Sequence, residues 1–364
     1  MELMVSTNDR IGAGAPVGEG RAAGMAEGAR VLGPTYAALD LGTNNCRLLV
    51  ARPAREGFRI ADAFSRIVRL GEGLSQSGRL GAPAMARTME ALEICRDKME
   101  QRGVTRARLI ATEACRVAEN GAQFVSRVRD RLGLNLEIVN RETEAHLAAA
   151  GCASLADPQA EGVVLFDIGG GSSEIVWLAR DEAEHPSADV RERVRVWASL
   201  RLGVVTIAEQ FGGIDISADI YEKMVAHVAG RLTPFVQRTA SETRCKRFHL
   251  LGTSGTVTTI AGVHLGLQRY DRRRVDGLWM SAAEVTAAIR GLRSMSYAQR
   301  VANGCIGAER ADLVLAGCAI FDAIRRAFPA DRVRIADRGL REGILMQLMS
   351  EDGVWSGGRP DVIS

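Results

Sequence analysis

An apolar run ending at an aspartate, a turn rich in glycine or hydroxyl residues, and a second apolar run occur twice in this chain. This repetition constrains the fold more than any other feature. Val163 to Ile168 reads as a buried strand, Gly169-Gly170-Gly171 as a turn and Glu174 to Leu178 as the returning strand. Tyr36 to Leu41 and Cys46 to Ala51 are likewise apolar, and Gly42-Thr43-Asn44-Asn45 separates them. Two β-hairpins follow, each with an aspartate before its turn, and Asp40 and Asp167 stand 127 positions apart. That spacing marks a weak internal duplication.

A chain of 364 residues, 46% of them hydrophobic, is long enough for two such units, each with its own core. Residues 1–33 show neither helical nor strand periodicity and read as a flexible N-terminal extension. The first α/β domain is expected over 34–158, the second over 159–350, and a tail over 351–364. In the first, a third strand spans Gly57 to Phe64, and Pro83 opens a helix that ends at Gly103. Strands at Arg108 to Thr112 and Leu134 to Val139 flank a helix from Phe124 to Leu132, which Gly133 closes, and Asn140 caps a helix that carries Glu144. In the second, a helix covers Ser217 to Thr239, a strand Arg247 to Leu251, and another helix begins after Ser254. A Ser281/Glu284 capping box starts the next, Pro329 stops a fourth, and Val333 to Ala336 is the last strand. The final helix, from Leu340, can return to the first domain.

Composition excludes several classes of function. The formal charge of +3 is too small for a dedicated nucleic-acid binder. No apolar run of 18 residues offers a membrane span, and Glu2, Asp9 and Arg10 precede no apolar signal core. Seven scattered cysteines without a C-x-x-C pair read as reduced thiols in a cytoplasmic protein, with no structural zinc. Gly12, Gly14 and Gly18 lack the spacing of a dinucleotide fingerprint, and His185, His227, His249 and His264 lack ligand spacing. The Arg272-Arg273-Arg274 run, and Arg332, Arg334, Arg338 and Arg341, read either as solvated cations or as a track for a polyanion. A homodimer is left open.

Three turns carry the chemistry. In Asp167 to Glu174, consecutive glycines bring backbone N–H groups close to an anion, Ser172 and Ser173 add donors, and Asp167 and Glu174 can hold a hard cation such as Mg2+. Asp40, Gly42, Thr43 and Asn44 repeat the design. Gly252, Ser254 and Gly255 form a strand-to-helix turn, where N–H groups and the helix dipole also favour anions. Each alone is also what an ordinary tight turn looks like. Together they suit a metal-chelated phosphate chain held from both sides of a cleft.

In this order the turns resemble the two-domain actin-like (ribonuclease H-like) phosphotransferases. More narrowly, the chain resembles the exopolyphosphatase/guanosine pentaphosphate phosphohydrolase family from about Tyr36 to Leu348. Six blocks carry the likeness: Asp40 to Asn45, Arg69 to Leu74 (R-L-G-E-G-L), Thr112 to Asn120, Asp167 to Glu174, Leu251 to Thr256 and Gly339 to Leu345. The resemblance implies two actin-like domains around a cleft, with Glu144 as the catalytic base, Arg116 gripping a substrate phosphate and Mg2+ on Asp167 and Glu174. A carboxylate near a helix N-terminus is expected to stay ionised, the state a base needs. The chain departs from the family's common Gly-Asn-Glu-Glu-Ala-Arg with Arg141-Glu142-Thr143-Glu144-Ala145-His146: Glu142 is out of register, Thr143 removes one carboxylate and His146 replaces an arginine.

The resemblance thus implies an exopolyphosphatase that releases orthophosphate from the end of inorganic polyphosphate. It is expected to be a short form without the family's C-terminal helical domain. Guanosine pentaphosphate is the alternative substrate. A kinase and a non-catalytic polyphosphate or nucleotide sensor are the readings from other classes.

Overall fold

The structure is a computed structural model that describes residues 33–55, 57–180, 190–244 and 247–355. The expected N-terminal extension lies outside these residues apart from Gly33, as do His185, Cys245 and the end of the chain from residue 356. The first sheet contains β1 (Tyr36–Leu41), β2 (Asn45–Pro53), β3 (Phe58–Ile67), β4 (Arg106–Ala111) and β5 (Leu136–Ile138), in the order β3-β2-β1-β4-β5. The second contains β6 (Gly162–Ile168), β7 (Ser173–Ala179), β8 (Val194–Leu200), β9 (Phe248–Thr253), β10 (Trp279–Ser281) and β11 (Arg332–Ala336), in the order β10-β11-β9-β6-β7-β8.

The duplication is therefore topological. Each sheet begins with an antiparallel meander, β1-β2-β3 or β6-β7-β8, and extends from its first strand by parallel pairing, to β4 and β5 or to β9 and β11. This is the α/β arrangement implied by the actin-like resemblance. The parallel strands need helical crossovers, and helices on both faces explain why β6 and β7 are apolar almost throughout instead of alternating. β8 had no counterpart in the sequence reading, because this edge strand is only partly buried over most of its length and interleaves Arg195 and Ser199 with apolar residues.

Two helices exchange places between the sheets. Arg141–Cys152 follows β5 of the first sheet, yet its Ala145, Ala149 and Cys152 pack on Val163, Leu165, Val176 and Leu251 of the second. Leu340–Glu351 follows β11 of the second sheet, yet its Ile344, Leu345, Leu348 and Met349 join Tyr36, Ala38, Leu49 and Ile110 of the first. The last helix does return to the first sheet.

Where the two helices meet, backbone touches backbone. A Cβ on Gly343 would stand 2.0 Å from the Leu147 carbonyl oxygen, and one on Gly151 1.8 Å from that of Gly339. The contact reverses the usual sign of a helix substitution. Alanine in place of a mid-helix glycine ordinarily stabilises by roughly 0.5–1 kcal/mol. Gly343→Ala should instead destabilise by about 1–3 kcal/mol through overpacking, read as a lower midpoint in chemical denaturation; a raised midpoint would refute the close contact.

Candidate active site

The two hairpin turns touch. A Cβ on Gly170 would lie 3.0 Å from Thr43 Cβ and one on Gly171 2.6 Å from Thr43 Oγ1, so the second turn needs glycine to approach the first. The R-L-G-E-G-L block explains how the first turn is held. Val68 and Arg69 donate their N–H groups to the Asn44 carbonyl and Gly71 donates to that of Thr43, which ties these carbonyls to the outer side of the turn. Among the described residues, the N–H groups of Thr43, Asn44, Gly170 and Gly171 donate no hydrogen bond. Convergent unpaired N–H groups on two facing turns make a nest for anions.

The third turn closes the site. Ser254, at φ 96°, adopts the left-handed region that favours glycine, just before the Gly255–His264 helix. Its Oγ is buried without a hydrogen-bond partner, as are Asn44 Oδ1 and Asn45 Oδ1. Strain and unpaired polar atoms of this kind gather where a ligand completes the structure. Asp40, Gly42, Thr43, Asn44, Glu144, Asp167, Gly169, Gly170, Gly171, Ser172, Glu174, Ser254 and Gly255 all line one cavity of about 110 Å3. It shares Asp40, Arg47, Asp167 and Arg310 with a second of about 600 Å3, whose lining adds Arg66, Tyr270 and Arg341.

Three of the expected residues lie elsewhere. Ser173 begins β7 and, by strand alternation, points away from Glu174, donating its hydroxyl proton to the Leu202 carbonyl at 2.9 Å. Gly252 sits beneath the ring of Phe166, where a Cβ would approach within 2.6 Å. Arg116 is absent from the cavity lining and is bound to Glu113, Glu144 and the Val139 carbonyl.

The arginines that read either as solvated cations or as a polyanion track divide, with Arg338 and Arg341 lining the larger cavity and the others outside it. Arg272 belongs to a short helix, Arg272–Val275, and bonds the Asp337 carbonyl and Glu342. Arg332 pairs with Asp157 and lies over Trp279, Arg334 lies over the same ring, and Arg338 pairs with Asp276. The cations that line the cleft are Arg47, Arg66, Arg310, Arg338 and Arg341, and the guanidinium groups of Arg47, Arg310 and Arg341 make no hydrogen bond or ion pair among the described residues. Burial and the neighbouring Arg47 press Arg310 down from its usual pKa, which leaves a cationic site short of negative charge. Arg47 was legible in principle, because the hairpin register sets it directly opposite Asp40. Arg310 had no local signal.

Opposite these cations stands a group of carboxylates. Asp167 and Glu174 face one another across β6 and β7. Burial pushes Asp167 up to about 6, opposed by Arg47 and reinforced by Asp40. Burial, with Glu144 and Asp167 nearby, raises Glu174 well above the ordinary range, although Ser199 donates to it at 2.8 Å. Burial likewise raises Asp40. Asn140 caps the helix as expected, accepting the Thr143 N–H at 2.8 Å. Glu144, 8% exposed, nevertheless departs from the expectation that the helix dipole keeps it ionised. Burial outweighs Arg116 and, reinforced by Asp40 and Asp167, pushes Glu144 up to about 7.

These carboxylates offer hard oxygen donors suited to Mg2+. Among the described residues, no three His, Cys, Asp or Glu side chains are grouped closely enough to hold an ion by themselves. The arrangement therefore fits an ion that arrives with phosphate oxygens of its own. Also among the described residues, no helix is long and apolar enough to cross a membrane.

Raised carboxylate pKa values have a consequence for stability. Glu144 near 7 and Asp167 near 6 hold protons in the folded state that the unfolded chain releases at lower pH. Their contribution is complete below the ordinary carboxylate range and is lost as pH rises through about 6 to 7. In chelator, the advantage of pH 6 over pH 8 in thermal midpoint should be greater for the native chain than for Asp167→Asn. Equal pH dependence in the two would refute the shift at Asp167.

The Ppx/GppA phosphatase family profile matches residues 49–352. Exopolyphosphatase 2 of Mycobacterium tuberculosis is 28% identical over 327 residues, which cover 86% of this chain and 98% of that protein. Guanosine-5'-triphosphate,3'-diphosphate pyrophosphatase of Aeromonas hydrophila is 27% identical over 321 residues, 88% of this chain but only 60% of that longer protein. The crystal structure of the Aquifex aeolicus Ppx/GppA family member superposes with a TM-score of 0.70 at 24% identity, covering 88% of this chain and 98% of that one, and shows the shared fold.

Proposed function

The chain belongs to the Ppx/GppA phosphatase family, and we propose that it hydrolyses the terminal phosphoanhydride of inorganic polyphosphate and releases orthophosphate. The observation that carries this reading is the pair of unpartnered arginines, Arg47 and Arg310, in a cleft whose facing turns present unpaired N–H groups. A terminal phosphoryl group would sit in the smaller cavity between the turns. The rest of the chain would run into the larger one, past Arg66 and Arg341.

Glu144 would act as the base. A water between Glu144 and the terminal phosphorus would lose a proton to the carboxylate as its oxygen attacks. The bridging P–O bond then breaks, and the departing chain keeps the electron pair on its new terminal oxygen. Developing charge on the transferring group meets the turn N–H groups and the arginines, an electrostatic stabilisation that needs no reorganisation at the moment of reaction. Asp167 and Glu174, with Asp40 beside them, would hold Mg2+. When bound, Mg2+ neutralises charge on the phosphoryl oxygens.

Guanosine pentaphosphate ends in the same kind of anhydride, and the larger cavity, with Tyr270 among its arginines, offers room for a nucleoside. Phosphate release from polyphosphate and from guanosine pentaphosphate, measured side by side without an added acceptor, separates the two substrates. Release from neither would leave a kinase or a sensor. Glu144→Gln should keep the fold and reduce turnover by about two to four orders of magnitude. Near-normal turnover in that variant would remove Glu144 as the base. Chelator should abolish activity and excess Mg2+ restore it; undiminished turnover in chelator would overturn the proposed metal requirement.

A further inference from the structure

Arg116 has almost no capacity left for a phosphate. Its Nε and Nη2 donate to Glu113 Oε2 at 3.0 and 2.5 Å, its Nη1 donates to the Val139 carbonyl at 2.6 Å, and its Nη2 also donates to Glu144 Oε2 at 3.0 Å. A guanidinium has five N–H donors, and this arrangement engages four of them. The fork is anchored on one side by Glu113 and bears on Glu144 with the other.

Glu113 is itself fastened. It is 6% exposed, and its second oxygen, Oε1, accepts from Arg141 Nη2 at 2.7 Å. Glu113 opens the short Glu113–Val117 helix and Arg141 opens the helix that carries Glu144, so the pair joins the starts of two helices. Glu144 Oε1, meanwhile, has no hydrogen-bond partner among the described residues and is the oxygen left to meet a water.

We propose that Glu113, tied to Arg141, is a positioning residue that holds Arg116 against Glu144 Oε2, so that Glu144 presents its other oxygen to the cleft. The proposal rests on the reading of Glu144 as the base. It gives Arg116 a supporting role behind that base in place of a grip on substrate. The Glu113–Arg116–Glu144 chain orients the base and leaves substrate affinity to the cleft arginines.

The test is a double-mutant cycle on the full chain, with steady-state rates measured over a range of polyphosphate concentrations. Glu113→Gln should lower kcat about ten- to hundredfold, the scale of a misplaced catalytic group, with KM unchanged. Combined with Glu144→Gln it should cause no further loss, because the group it positions is gone. Arg141→Gln should give a smaller loss in the same direction and the same non-additivity, and it decides the matter if Glu113→Gln fails to fold. Normal kcat in a folded Glu113→Gln, or an equal loss with and without Glu144, would overturn the positioning role. A rise in KM that accounts for the defect would return Arg116 to gripping phosphate and overturn it as well. Near-normal turnover of Glu144→Gln alone would instead defeat the base reading, and the proposal with it; a slow Glu144→Gln beside a normal Glu113→Gln defeats the positioning role alone.

Discussion

Unbalanced charge in a water-poor cleft is the constraint from which the rest of the structure follows. Asp40, Glu144, Asp167 and Glu174 are pushed toward their protonated forms by burial, while Arg47 and Arg310 stand nearby without a hydrogen-bonded partner. Pairing each arginine with a carboxylate would relieve both. The chain instead leaves Arg47 opposite Asp40 across the β1–β2 hairpin without a hydrogen bond between them and sets Arg310 against the Gly255 turn, where a Cβ on Gly255 would lie 3.4 Å from its Nη1. A multiply charged phosphate chain that brings a divalent cation can satisfy both sets at once. On the proposed reading, such a ligand would supply the partners that both sets lack.

Holding that arrangement requires rigid supports from both sheets. The β1–β2 turn is fixed from behind by Val68, Arg69 and Gly71, and Arg69 reaches further to form a two-pronged pair with Asp312 at 2.9 and 3.0 Å. Glu209 accepts from the Gly73 N–H at 2.9 Å and from Ser75, a second tie between the block after β3 and the helix after β8. At the opposite side, the glycine contact locks the exchanged helices together. Glu144 rides on one of these helices and Arg341 on the other. The close packing that stabilises the crossing therefore also sets the distance between Glu144 and a cation of the larger cavity.

Much of this was legible in the residues, and what was legible had local causes. The hairpins, the Asn140 cap, the Ser281/Glu284 capping box and the helix stop at Pro329 depend on neighbours a few positions apart. Such signals survive in a single sequence. Assignments within the turns went wrong where position along the strand was ignored: Ser173 looks like a second hydroxyl donor until alternation turns it from the cleft. Gly252 failed for another reason, since a glycine that admits a ligand and a glycine that admits a phenylalanine ring are the same letter. Arg310 could not have been found, because residues far apart in the sequence bring it to the site.

The arginines show most clearly where sequence stops and folding begins. Runs such as Arg272 to Arg274 attract attention because adjacent cations suggest a field, yet a helical turn sends adjacent side chains in different directions. Arg272 is spent on Glu342, while Arg273 and Arg274 are exposed away from the cleft lining. An arginine contributes to anion binding only when its donors are uncommitted, and commitment is a property of the folded surroundings. By that measure Arg116, the arginine best marked by its motif, is among the heavily engaged ones, whereas the unmarked Arg47 and Arg310 keep their side-chain donors uncommitted among the described residues. On the proposed reading, this accounting of donors divides the labour: Arg116 would serve Glu144, and Arg47 and Arg310 would meet the phosphate.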